Sequence, residues 1–267
     1  MRKAAVVLLL ALLAGACDSS ASPPPTFTDA RALADAATAA TTSGGSAKFA
    51  TDVAVGSVRS KGQGQARFGA GGTSQVMTTD FIGEPMELRL VAGKLYAKVP
   101  EGSRDQVGTA KPWVEVAPDG TDPFSQVLGG SLGQLAAQND PAHTLREVAA
   151  AGTIVAAERG DLGGVAAEHY RVDLDLAKLG ADLPAGLAAD EVGQLGGKFP
   201  VELWLDDTHR PLQIVLDLSP ILAGPGGSGG SPGSPGSGAK ITTRYTEWGG
   251  PVDVQAPPPD QVGTLTP

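Results

Sequence analysis

Apolar and polar residues alternate with a period of two over most of the chain, the pattern of strands that turn one face to a core and the other to water. Phe49, Thr51, Val53 and Val55 share a face; Met86, Leu88 and Leu90 alternate with Glu87 and Arg89; Leu95, Ala97 and Val99 flank Lys98. The pattern returns as Tyr170, Val172 and Leu174 against Arg171, Asp173 and Asp175, and as Phe199, Val201, Leu203 and Leu205 against Glu202, Trp204 and Asp206. Leu212, Ile214, Leu216 and Leu218 repeat it. Turns rich in Gly, Pro and Asp, such as Asp206-Asp207-Thr208-His209-Arg210-Pro211, join these segments as in antiparallel hairpins with one covered face. Roughly ten such strands are enough for one strongly curved sheet.

Elsewhere the period lengthens. Thr28 is placed to cap an alanine-rich helix from Asp29 to about Thr41, broken at Ser43-Gly44-Gly45. Asp122-Pro123 supplies an N-cap and first helical position, after which Phe124, Val127, Leu128, Leu132 and Leu135 recur at helical spacing until Asn139-Asp140-Pro141 restarts the chain. Leu145, Val148 and Ala149 predict a second short helix ending at Gly152, and an irregular third runs near Leu176 to Leu187. Apolar helix stripes need a partner surface, and the concave side of the sheet is the available one. The expected fold is α+β: a strongly curved antiparallel half-barrel sheet with helices packed on its concave face.

The first residues follow a different logic. Arg2 and Lys3 precede an apolar run from Ala4 to Leu13, then Ala14, Gly15 and Ala16 lead into Cys17, the one cysteine of the chain. This is the order of a secretory signal, and the run is shorter than the ~20 residues that span a bilayer. Leu13-Ala14-Gly15-Ala16-Cys17 resembles a bacterial lipobox, although Ala14 stands where a branched residue is favoured. The resemblance implies cleavage after residue 16, acylation of Cys17 and residence on the extracytoplasmic face of the cell membrane. A secreted protein with a free thiol is the alternative. Residues 17–28, with Pro23, Pro24 and Pro25, read as a tether, and residues 29–267 as one domain. A Gly/Ser/Pro stretch at 224–238 reads as a hairpin insertion, which costs little because loop closure grows only slowly with length.

Of the 267 residues, 29 are acidic and 20 basic, so the net charge is −9, which argues against nucleic acid as a partner. An acidic domain also gains no attraction from anionic lipid, which leaves any anchoring to acyl chains. Aromatics are only 4%.

Catalytic patterns are present but poorly supported. Gly129-Gly130-Ser131-Leu132-Gly133 fits G-x-S-x-G, and Asp206 or Asp207 and His209 follow in hydrolase order. The preceding residues read as helix rather than strand, however, and Gly226-Gly227-Ser228-Gly229-Gly230 repeats the pattern inside a low-complexity stretch. His143, His169 and His209 lack metal-ligand spacing and read as solvent-facing; Asp173, Asp175, Asp206 and Asp207 read as solvated charges. Gly62-Gln63-Gly64 and Gly69-Ala70-Gly71-Gly72 read as hairpin turns, not phosphate loops. Trp113, Trp204 and Trp248 suit either a cleft mouth, a membrane contact or edge packing. No catalytic residue, metal or cofactor is expected.

The lipobox, the short N-terminal helix, Lys94-Leu95-Tyr96-Ala97-Lys98-Val99, Lys111-Pro112-Trp113-Val114-Glu115-Val116, Asp122-Pro123-Phe124, Val201-Glu202-Leu203-Trp204-Leu205-Asp206 with Pro211, and Tyr245-Thr246-Glu247-Trp248-Gly249 followed by Pro251-Val252 and Ala256-Pro257 together resemble the actinobacterial LppX/LprA/LprF/LprG envelope lipoproteins. The resemblance runs from about Phe27 to Val262. It implies a half-barrel similar to LolA and LolB, an apolar cavity holding acyl chains of a lipid or lipoglycan, carriage between membrane and envelope, and no enzyme activity. A monomer and a membrane transporter as partner fit that role. The inward positions expected to line the cavity are Val53, Val55, Phe68, Met86, Leu88, Leu90, Leu95, Val114, Val116, Phe124, Leu128, Leu132, Leu135, Val172, Leu174, Leu203, Leu205, Ile214 and Leu216. Plain core packing is the competing reading for each of them. An accessory lipoprotein with a filled core, recruiting a transporter or wall enzyme, is the competing reading for the whole.

Overall fold

The computed structural model describes residues 27–81, 84–117, 120–122, 124–126, 130–179, 198–220 and 238–265. The signal segment, Cys17, most of the tether, Leu128, the distal part of the third predicted helix and nearly all of the 224–238 insertion lie outside the described residues, as do the side chains of Ser131 and Leu135.

Alternation becomes strand as the sequence predicts. The strands are β1 (Ser46–Val55), β2 (Val58–Arg67), β3 (Ser74–Phe81), β4 (Glu84–Val91), β5 (Lys94–Lys98), β6 (Trp113–Val116), β7 (Gly152–Leu162), β8 (Val165–Asp175), β9 (Lys198–Leu205), β10 (Pro211–Asp217), β11 (Ala239–Thr246) and β12 (Val262–Gly263). They form one open, curved sheet in the order β12-β6-β5-β4-β3-β2-β1-β11-β10-β9-β8-β7. Neighbours are antiparallel except at one edge, where β12 lies parallel to β6. That pair corrects the expectation of a purely antiparallel sheet, and among the described residues the strands number twelve rather than about ten.

The register lines up one apolar row across the inner face. Tyr245 of β11 stands opposite Phe49 of β1, which faces Gly64 of β2. Met77 of β3 follows, then Leu88 of β4, Ala97 of β5 and Val114 of β6. Gly64 is glycine for space: a Cβ there would stand 2.6 Å from Cζ of Phe49 and 2.3 Å from the carbonyl oxygen of Val76. Gly62 and Gly64 therefore sit within a strand and not in the turn predicted for them.

Helices cover this face. In α1 (Ala30–Gly44) the N-cap is Asp29, one residue after the predicted Thr28, and its carboxylate accepts the Ala32 N–H at 2.7 Å. The helix stops at Gly45, whose φ of 72° favours glycine. A short α2 (Arg104–Val107) follows β5; α3 (Gly130–Gln138) and α4 (Pro141–Ala151) occupy the predicted central stretch. Asp140 caps α4 with Pro141 at its first turn, as the sequence implies. Leu33, Ala34 and Ala37 of α1 and Leu145 and Val148 of α4 are buried with the sheet's inner row in one core cluster. α1 packs on α4, and both reach β7 while α4 also touches β8.

The last segment was not anticipated. After β11 the chain crosses the outer face of the sheet as a strap. Gln65 exchanges two hydrogen bonds with the Asp253 backbone, Arg67 and Arg89 donate to the carbonyls of Val252 and Gln255, and Lys111 donates to that of Asp260 before β12 docks. Beneath it Trp113 is only 4% exposed, with the Arg89 guanidinium 4.6 Å above its ring.

Candidate functional site

Since strands alternate, every second side chain of β4, β5, β6, β8, β9 and β10 points to the helix-covered interior. Phe68, Met86, Leu88, Leu95, Val114, Val116, Leu132, Val172, Leu174, Leu203, Leu205 and Ile214 all belong to the buried cluster, and Leu90, Phe124 and Leu216 pack against it half-buried. Val53 is half-buried, and Val55, 41% exposed at the end of β1, stands at the rim rather than inside. Fifteen of the nineteen predicted positions thus lie in or against one buried cluster, which spans β6 to β8.

Sequence reasoning missed two contributions. The first comes from large strand side chains: Phe49, Met77, Tyr170, Tyr245 and Phe199 are buried on the same surface, and all but Met77 stood in quoted alternating or motif segments without being assigned to it. The second is polar. Asn139, fully buried at the α3–α4 corner, meets Thr51 through its side-chain oxygen and donates from Nδ2 to Sδ of Met77 at 3.3 Å, while its carbonyl accepts the Tyr245 hydroxyl at 3.2 Å. Thr51 and Thr243 lie 3.1 Å apart on neighbouring strands, and Gln75 donates to the Ala136 carbonyl at 2.6 Å. These bonds fasten α3 to the middle of an otherwise apolar face. No periodic pattern announces a polar core position, so no sequence signal pointed to it.

At one end of the strands the buried Glu168 accepts the Tyr170 hydroxyl and pairs with Arg159 at 3.2 Å. Burial, reinforced by that hydrogen bond, pushes the Tyr170 phenol well above its ordinary value; burial does the same to Tyr245. Both phenols are therefore uncharged donors across the physiological range.

The rejected constellations resolve as follows. Asp206 is buried, a correction to the solvated reading: one carboxylate oxygen accepts the N–H groups of Thr208 and Arg210 and the Thr208 hydroxyl, and the other meets the Arg210 guanidinium at 2.8 Å. Desolvation pushes this carboxyl up, but those hydrogen bonds outweigh it and hold the group below its ordinary value. Asp122 follows the same balance, its side chain accepting the Ser125 N–H at 2.8 Å as the predicted cap. His209 packs edge-on against Phe27 at 5.1 Å. His169, read as solvent-facing, is 8% exposed and stacks on Trp204 at 3.9 Å. Trp248 packs against Phe68 and donates to the Pro211 carbonyl. Among the described residues no group of three or more His, Cys, Asp or Glu is arranged to hold a metal, and no helix is long and apolar enough to cross a membrane.

Pockets of 560 and 580 Å³ lie elsewhere, one on the outer face around Lys48, Ala50, Gln63 and Arg244, the other beneath the strap around Tyr96, Pro257 and Val262. Neither is lined by any of the nineteen predicted inward positions.

No protein-family profile matches the chain, and no curated protein matches it. Among solved structures it is similar to LprF from Mycobacterium bovis, at 15% identity over 85% of this chain and 96% of that one, with a TM-score of 0.46. MucB is similar at 16% identity over 89% of this chain and 63% of that one, with a TM-score of 0.38. MucB in complex with MucA(peri) gives 14%, 85%, 59% and 0.40, so this chain spans about three-fifths of MucB.

Proposed function

We propose that the protein is an envelope lipoprotein, anchored outside the cytoplasm through acylated Cys17, that takes acyl chains of a lipid or lipoglycan against the inner face of its half-barrel and carries them between membrane and envelope. The observation that carries this reading is the inner face itself, apolar from β6 to β8 apart from the Asn139 fastening and the buried Thr79. Side chains of α1, α3 and α4 lie against it in the same buried cluster. Acyl chains suit such a surface because each methylene removed from water contributes about 0.8 kcal/mol without any directed contact. The mechanism is partition, and it requires no nucleophile, metal or cofactor.

A second reading rests on the same residues. Leu88, Val114, Val172 and Leu203 are almost wholly buried, as in a filled core. A protein so filled would act as an accessory lipoprotein, recruiting a transporter or a wall enzyme.

Native mass spectrometry of the acylated protein, purified from its own membranes, separates the two. Carriage predicts a non-covalent lipid adduct that disappears on organic extraction while the covalent acyl mass at Cys17 persists, and that is diminished in Leu90→Trp and Leu132→Trp, whose indoles occupy the inner space. A polypeptide that flies without adduct, both as isolated and after incubation with host lipid extract, overturns carriage in favour of the accessory role.

A further inference from the structure

The tip of the β7–β8 hairpin is apolar on both sides of its turn. Gly163 and Gly164, with φ of 65° and 90°, make the two-residue turn, and Leu162 pairs directly with Val165 across it. Val165 is 46% exposed, Ala166 is exposed, and Asp161, also exposed, accepts the Gly164 N–H at 2.8 Å. Gly-Gly is an ordinary two-residue turn, but the residues flanking it are apolar, and the five from Leu162 to Ala166 carry no polar side chain.

The tip also lies past the pairing of β8 with β9, which ends at Glu168 opposite Leu205; beyond it Ala167 is still buried, and Val165 and Ala166 are exposed. The same end of the sheet receives the chain from its N-terminus. Phe27 is fixed there, its N–H donating to the Tyr170 hydroxyl at 3.2 Å and its ring against His209 in the β9–β10 turn. Ten residues separate Phe27 from Cys17, at most about 35 Å fully extended.

We infer that the Leu162–Ala166 tip rests in the lipid surface, so that the domain is held at two points: the acyl chains on Cys17 and this hairpin beside the tether's exit. The partner is the bilayer and not a protein, because the tether keeps this end of the domain within reach of the bilayer to which Cys17 is attached. The net charge of −9 gives no electrostatic pull, which leaves apolar contact as the source of orientation. The inference rests on the lipid-anchor part of the proposed function.

The test uses the full acylated chain. Cys17 is the single native cysteine and acylation consumes its thiol, so Val165→Cys offers one site for the environment-sensitive fluorophore NBD. In phosphatidylcholine vesicles the label at 165 is expected to shift its emission to the blue and to be quenched by nitroxide-bearing lipid, whereas the same label in Val55→Cys, at the opposite end of the strands, keeps its aqueous emission. A second readout needs no label: brominated lipid should quench the tryptophan emission of Val165→Trp more than that of the unsubstituted protein. Aqueous emission at 165, together with no added quenching in Val165→Trp, in samples whose intact mass shows the acyl adduct, overturns the inference while leaving the anchor standing. An intact mass without the adduct removes the anchor, and the inference with it.

Discussion

Asn139 is a polar residue without water around it, and its value lies in what it prevents. Thr51 and Met77 meet its side chain in an apolar interior, while the Tyr245 hydroxyl bonds its backbone carbonyl, which any residue at 139 keeps; a buried group left without a partner costs about 1–3 kcal/mol. Asn139→Ala is expected to lower the unfolding free energy by about that amount, read as a fall in the urea midpoint at unchanged slope. Asp206 makes the complementary case at the surface end of β9. Its carboxyl is held below the ordinary carboxylate range, so the charged form is the one the fold stabilises. That contribution is complete above the unfolded value and is lost as pH falls through the lowered native one. Stability of the native protein should therefore drop between about pH 5 and pH 2 more steeply than that of Asp206→Asn, which carries no such charge; parallel curves in calorimetric scans across that range would contradict the assignment.

At the scale of elements, Gly64 marks how closely β2 is pressed between its neighbours. Gly64→Ala forces a methyl group into Phe49 and the Val76 carbonyl, an overpacking that should cost about 1–3 kcal/mol or more, measured as a loss of melting temperature with the β2–β3 amides losing exchange protection first. The C-terminal strap makes another prediction. Removing residues 251–267 uncovers Trp113, so its fluorescence should shift to the red and the unfolding midpoint should fall, while the secondary-structure spectrum changes little. The sequence was most informative where a period exists. The inward residues of β4, β8 and β9 follow from alternation alone, and Asp140-Pro141 fixes the start of α4. The strap escaped because Pro251 to Pro259 has neither a period of two nor one of 3.6, and a segment held by Gln65, Arg67 and Arg89 to its backbone carbonyls leaves no mark in its own side chains. His169 escaped for a related reason: its cover, Trp204, comes from a strand 35 positions away, and nothing local predicts that stacking.

At the scale of the molecule, the inner face was legible as a set of residues but not as a state, because alternation gives the direction of a side chain and not whether protein or ligand fills the space before it. The lipid-adduct measurement decides that state. The two margins of the sheet are finished differently, which matters if the protein is held at a membrane as proposed. One margin is closed by the chain's own tail, where β12 pairs with β6; at the other, β7 (eleven residues) has no strand on its outer side among the described residues. Confinement to a surface raises the chance that two such margins meet, and a long free strand is a template for joining copies. Here the ladder is interrupted by an irregularity between Ile154 and Ala156, and Glu158, Arg159 and Asp161 follow within four residues. A crowded layer of this protein should accordingly stay dispersed instead of stitching its sheets into ribbons, and neutralising those three charges together is the change that would let it polymerise.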